Sequence, residues 1–101
     1  MMLKANDREV TDVTTAFARR RLAHLESLTA ELPGRGLAGR MLGAGAPVLW
    51  VWHPDTRRQT IVFACPAGDG WLFLWSPDGQ ASTEDPGHVA DLIGKLLNGT
   101  P

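Results

Sequence analysis

From Pro47 to Ser76 the chain carries three short runs that are apolar at almost every position, set too close together to be anything but antiparallel neighbours. Pro47–His53 is rich in Val, Leu and Trp, Arg58–Cys65 reads Arg-Gln-Thr-Ile-Val-Phe-Ala-Cys, and Gly70–Ser76 reads Gly-Trp-Leu-Phe-Leu-Trp-Ser. β-Branched and aromatic residues at this density favour strands. The separators Pro54-Asp55-Thr56-Arg57 and Pro66-Ala67-Gly68-Asp69 are turn-like, and a parallel crossover needs a dozen residues or more. Ser76-Pro77-Asp78-Gly79 is a third turn by the same chemistry. The expectation is a three-stranded antiparallel meander over 47–76.

Pairing the strands through their turns decides which residues share a face, because side chains alternate along each strand. One face then carries Val48, Trp50, Trp52, Ile61, Phe63, Cys65, Leu72 and Leu74. The other carries Leu49, Val51, His53, Thr60, Val62, Ala64, Trp71, Phe73 and Trp75. A half-solvated antiparallel sheet alternates apolar with polar residues, and this one is apolar on both faces. Leaving one face wet forgoes on the order of 10 kcal/mol, at about 1.5–3 kcal/mol per large side chain. Two coverings answer that demand. One helix lies on each face, or both helices share one face and a second subunit or a ligand meets the other. Trp50, Trp52, Trp71, Phe73 and Trp75 form the candidate ligand or partner surface.

Helices flank the meander. Val10, Val13, Phe17, Leu25, Leu28 and Leu32 recur at helical spacings apart from one gap of eight, with Arg21 on the stripe inside it. Asn6 with Glu9 resembles a capping box, and Pro33-Gly34 stops the run, so the helix is expected over 6–32. Residues 33–46 hold five glycines and read as a mobile connection, with Leu37, Met41 and Leu42 forming one helical turn under the core. A second helix is expected over 85–97, opened by Asp85 and Pro86 and closed by Asn98-Gly99. Its stripe is Val89, Leu92, Ile93, Leu96 and Leu97, with Asp91 and Lys95 on the opposite, solvated side. The first helix, about 39 Å long, overhangs a strand of about 23 Å by roughly 15 Å. Val10, Val13 and Phe17 keep that overhang apolar, which makes them the candidate dimer contact and predicts a homodimer.

The totals narrow the class. At 101 residues the chain is expected to form one domain, 1–101, of α+β class. A composition 44% hydrophobic and 21% charged is that of a globular protein and argues against disorder. Ten Lys and Arg against eleven Asp and Glu leave a net charge of -1, which argues against nucleic acid and anionic membranes as partners. A single cysteine, Cys65, excludes an internal disulfide, and the first residues lack a signal-peptide pattern. A cytoplasmic protein with no membrane segment is expected.

Motifs that carry chemistry are few, and each has a simpler explanation. Gly34-Arg35-Gly36-Leu37-Ala38-Gly39 matches G-x-G-x-x-G, yet it follows a helix and precedes a strand, the reverse of a dinucleotide site. Arg19-Arg20-Arg21 points in three directions on a helix, and Arg35 and Arg40 lie apart from it. Arg21 is expected to snorkel or to pair across an interface. Cys65 with His53 or His88 would be the only nucleophile and base, but Cys65 ends an apolar strand, where a structural thiol is the simpler reading. His53-Pro54-Asp55 offers two ligands without the rest of a metal set. His24 reads as exposed, and Asn98-Gly99-Thr100 as a helix stop. No catalytic residue, metal or cofactor is expected.

The Trp-x-Trp and Trp-x-x-x-Trp strands of Pro47–Ser76, followed by Asp85-Pro86 and an amphipathic helix, resemble short uncharacterised actinomycete proteins. That resemblance covers about half the chain and implies a bacterial, cytoplasmic protein with no catalytic residue to carry over. The helix–meander–helix order is also similar to small dimeric secretion chaperones, which usually have more strands. The expected function is a non-catalytic dimeric domain that binds a protein or peptide through apolar surface. The alternative is a binder of a small hydrophobic molecule, or a minor enzyme, with a pocket walled by Trp50, Trp52, Trp71 and Trp75.

Overall fold

The computed structural model describes residues 2–43 and 45–99, with side chains described from Ala16 onward. These residues form helix α1 (Met2–Glu31), a 3-10 turn (Pro33–Arg35), strands β1 (Ala38–Leu42), β2 (Val48–Trp52), β3 (Gln59–Ala67), β4 (Gly70–Trp75) and β5 (Gly79–Ser82), and helix α2 (Pro86–Asn98). The strands make one antiparallel meander in the order β1-β2-β3-β4-β5. The class is therefore α+β, but the sheet has five strands where the sequence pattern indicates three.

Both added strands are hidden by glycine. β1 lies in the segment expected to be a mobile connection, and Leu37, Met41 and Leu42 form no helical turn there. Leu37 is buried, and Met41 packs against the core from within β1. Gly39 is needed where the strand passes beneath α1, since a Cβ there would stand 2.6 Å from Leu32 Cδ1 and 3.3 Å from Leu49 Cδ1. β5 begins at Gly79, which pairs with Trp75, and a Cβ at Gly79 would overlap the Trp75 indole. A glycine under an aromatic ring is a packing device in a strand, although in sequence it looks like the end of a turn.

The register fixes the faces. β2 meets β3 through Leu49↔Val62 and Trp50↔Ile61, and β3 meets β4 through Val62↔Trp75, Phe63↔Leu74 and Ala64↔Phe73. Leu49, Val51, Val62, Ala64, Trp71, Phe73 and Trp75 share one buried core with Leu25 and Leu28 of α1, Leu32 just past its end, and Val89, Ala90, Ile93 and Leu97 of α2. Both helices therefore lie on the same face. Thr60, a buried polar residue of that face, donates its hydroxyl to the Ser76 carbonyl at 3.2 Å. His53, grouped with this face in the sequence, stands past the end of β2 in the β2–β3 turn.

The helix ends follow local chemistry. α1 starts at Met2, ahead of Asn6, so Asn6 is not its N-cap; a capping residue permits a start but does not stop a helix that continues through it. Pro33 ends α1, and Gly36, at φ 72°, closes the 3-10 turn by donating its N–H to the Pro33 carbonyl. In α2, Asp85 accepts the His88 N–H at 3.0 Å, and Gly99 terminates the helix at φ 72°. Ile93 is fully buried in the core, whereas Leu92 is partly buried at its margin. Ile93→Ala should cost about 2–5 kcal/mol through lost transfer energy and a residual cavity, and Leu92→Ala clearly less. Thermal melts of the two variants, run side by side, measure the difference.

Candidate functional site

The face of the sheet turned away from both helices is the most conspicuous surface of the molecule. Cross-strand pairs place Arg40 opposite Trp50 and Leu42 opposite Val48, so β1 contributes Arg40 and Leu42 to it. β2 adds Val48, Trp50 and Trp52; β3 adds Gln59, Ile61, Phe63 and Cys65; β4 adds Leu72 and Leu74. β5 adds Gln80 opposite Leu74 and Ser82 opposite Leu72. The described residues of this face include no carboxylate, and Arg40 carries its charge.

Its aromatic residues are ordered by one another and by one hydrogen bond. The Trp50 and Trp52 rings lie two residues apart on one side of β2, with centroids 4.6 Å apart and planes at 40°. The Trp50 indole N–H donates to Gln59 Oε1 at 2.8 Å, which satisfies its only polar atom and leaves the ring as apolar surface. Phe63, on the central strand, is 47% exposed, and Leu42 37%. Contiguous apolar surface of this kind is rare on a soluble monomer. Completing the burial of its large side chains would contribute on the order of 5–10 kcal/mol of transfer energy.

The remaining candidates are distributed elsewhere. Trp71, Phe73 and Trp75, expected on the partner surface together with Trp50 and Trp52, belong to the covered face and are at most 9% exposed. Strand alternation puts them there: Trp71, Phe73 and Trp75 point opposite to Leu72 and Leu74. The tryptophans are therefore divided between two faces and line no common pocket. A shallow groove of the open face is bounded by Leu42, Trp50, Gln59, Thr60, Ile61 and Ser76, and holds one tryptophan. Phe17, the described member of the expected dimer contact, is 44% exposed but leans on Trp71 of its own chain, with centroids 6.2 Å apart. Val10 and Val13 have side chains outside the described residues.

Polar groups that looked chemical serve the fold. His53 Nδ1 accepts the N–H groups of Asp55 at 3.1 Å and Thr56 at 3.3 Å, so it shapes the β2–β3 turn. Cys65 lies on the open face near the other end of β3, and His88 belongs to the helical layer, so thiol and imidazoles are not brought together. Among the described residues no group of three or more His, Cys, Asp or Glu could hold a metal ion, and no helix is long and apolar enough to cross a membrane. Arg21 donates to the Ala64 carbonyl at 3.2 Å, where β3 runs past its pairing with β2. It therefore caps backbone within the chain.

Arg35 is the functional-looking residue whose part the sequence hides. Its guanidinium donates to Asp91 Oδ1 at 2.8 Å, to the Glu31 carbonyl at 2.9 Å and carboxylate at 3.0 Å, and to the Gly87 carbonyl at 3.1 Å. It thus ties the end of α1 to the start of α2, and the hydrogen bond it gives Asp91 holds that carboxyl below its ordinary 3.8. Glu31, four residues earlier, is a legible helical partner; Asp91 and Gly87 are not, since they are distant in sequence.

His24 packs beside Trp71, with ring centroids 5.2 Å apart. Partial burial, and then the nearby Arg20 charge, hold its imidazole below the ordinary 6.5. Its neutral form is thus favoured by the fold, while the unfolded chain takes up a proton more readily. Stability should be highest above the ordinary histidine value and fall as pH drops through 6.5 and on through the lower folded value. Asp91 adds a separate loss only below 3.8, as its carboxylate is protonated away from Arg35. Thermal melts between pH 7.5 and 5, compared with His24→Gln, should show the first loss in the native chain and a flatter profile in the variant.

No protein-family model, curated protein or solved structure matches this chain, so the functional reading rests on its own surfaces.

Proposed function

We propose that this chain is a non-catalytic, cytoplasmic interaction module that works by assembling with another polypeptide through its open sheet face. One observation carries the reading: two helices cover one side of a sheet apolar on both sides, and among the described residues neither helix covers the other. The bare side has the composition of an interface core, rich in aromatic and aliphatic residues and depleted of charge. A binder of a small hydrophobic molecule needs a concave, largely enclosed site. The division of Trp50 and Trp52 from Trp71 and Trp75 weighs against such a site here.

Phe63, central and half exposed, is the residue to change. Measured at a dilution that keeps the chain monomeric, Phe63→Lys should move the melting transition little, by no more than about 1 kcal/mol, because the side chain contributes modestly to the core. The native chain should self-associate or bind an apolar-surface dye. Phe63→Lys should weaken whichever it does by at least about tenfold, as expected for a central aromatic contact. Sedimentation and dye titration measure this, and a native chain that does neither overturns the reading.

A further inference from the structure

We infer that the occupant of the open face is a second copy of this chain, packed sheet against sheet about a two-fold axis parallel to the strands. This rests on the reading of the open face as an interaction surface and names its partner.

The face has the size such a dimer needs. Five strands spaced about 4.8 Å apart, each exposing roughly 20 Å of length, give a planar footprint of about 500 Å². Side-chain relief adds to that, so two copies together would bury roughly 1,000–1,400 Å², at the lower end of a specific interface. Its layout also matches: Phe63, Ile61, Leu74 and the Trp50–Trp52 pair are central, while the edge strands carry Arg40, Gln80 and Ser82 beside Leu42. An apolar centre with a polar rim is the anatomy of a stable interface, and an isologous dimer requires one patch to complement itself.

Charge selects the axis. A two-fold that brings two faces together must lie in the plane between them. Across the strands, it sets β1 over β1, whose described residues on this face, Ala38, Arg40 and Leu42, offer the other copy's Arg40 no acceptor side chain. Along the strands, it sets β3 over β3 and β1 over β5. Arg40 is level with Ile61 and Gln80 with Phe63, two residues apart along the strands and within an arginine's reach. Each Arg40 then meets the Gln80 amide of the other copy. The same axis puts Cys65 over Cys65, whereas the crosswise axis through Phe63 would part the thiols by about 14 Å.

Two measurements on the full chain test this. Sedimentation equilibrium should give a mass near twice the 10.9 kDa of one chain, and a mild oxidant should cross-link the chains through a Cys65–Cys65 disulfide, since facing thiols between sheets about 10 Å apart come within bonding reach. Gln80→Glu should tighten the dimer about two- to fivefold at low salt by facing Arg40 of the other copy. A dimer that is not cross-linked, that Gln80→Glu weakens, or that survives Phe63→Lys overturns the inference. A monomer at all concentrations whose open face binds an apolar dye overturns the second copy and leaves the interaction reading standing. A monomer that binds none overturns both.

Discussion

The width of the sheet governs everything else in this molecule. Five strands spaced about 4.8 Å apart span about 19 Å between their outer axes, and a helix with its side chains is about 10–12 Å wide. Two helices side by side therefore cover one face of such a sheet and leave nothing for the other. α1 and α2 pack against each other as well as against the strands, and their apolar stripes close over Val51, Val62 and Phe73. With three strands, one helix could nearly span each face. The fourth and fifth strands remove that solution, so the bare face follows from the strand count.

That dependence also explains what could be read from the sequence and what could not. The faces of β2, β3 and β4 follow from turn lengths and a period of two, and the structure groups Trp50, Trp52, Ile61, Phe63 and Leu74 as that period requires. α2 is legible to within a residue at each end because capping chemistry is local: Asp85 binds the His88 N–H, and Gly99 takes the left-handed conformation. β1 and β5 are illegible for the opposite reason. Gly39 and Gly79 are set by what passes over them, Leu32 in one case and the Trp75 ring in the other. A glycine chosen for a distant neighbour looks in sequence like a glycine chosen for freedom. Since the strand count was hidden, the choice between the two coverings was hidden with it. Trp71, Phe73 and Trp75 could not be separated from Trp50 and Trp52 as core from surface.

Arg35 shows the same division at a polar site. Its motif, Gly34 to Gly39, has the spacing of a phosphate loop, but the glycines serve other ends. Gly36 takes φ 72° to close the 3-10 turn, and Gly39 leaves room for the Leu32 side chain. Arg35, between Gly34 and Gly36, points back to Glu31 and across to Asp91 and Gly87. Planar, multiply donating and always charged, a guanidinium can join a helix end to a second helix through carboxylates and carbonyls together. It adds a polar link between α1 and α2 beside the apolar core that seats both helices on the sheet.

The covered layer and the bare face are mechanically one. The β2–β3 turn, which carries the strands of the aromatic face into each other, is held by His53 Nδ1 and by Thr56, whose hydroxyl donates to the Leu97 carbonyl near the end of α2 at 2.7 Å. Trp75 lies over Gly79 on the covered side while its neighbour Leu74 points to the open side beside Phe63. Side chains on opposite faces of one strand share a backbone, so packing beneath the helices sets the curvature and spacing of the residues above. A face pre-shaped in this way loses little conformational freedom when it is covered. Rigid aromatic surface of that kind converts its burial into affinity more fully than a mobile loop of equal area would.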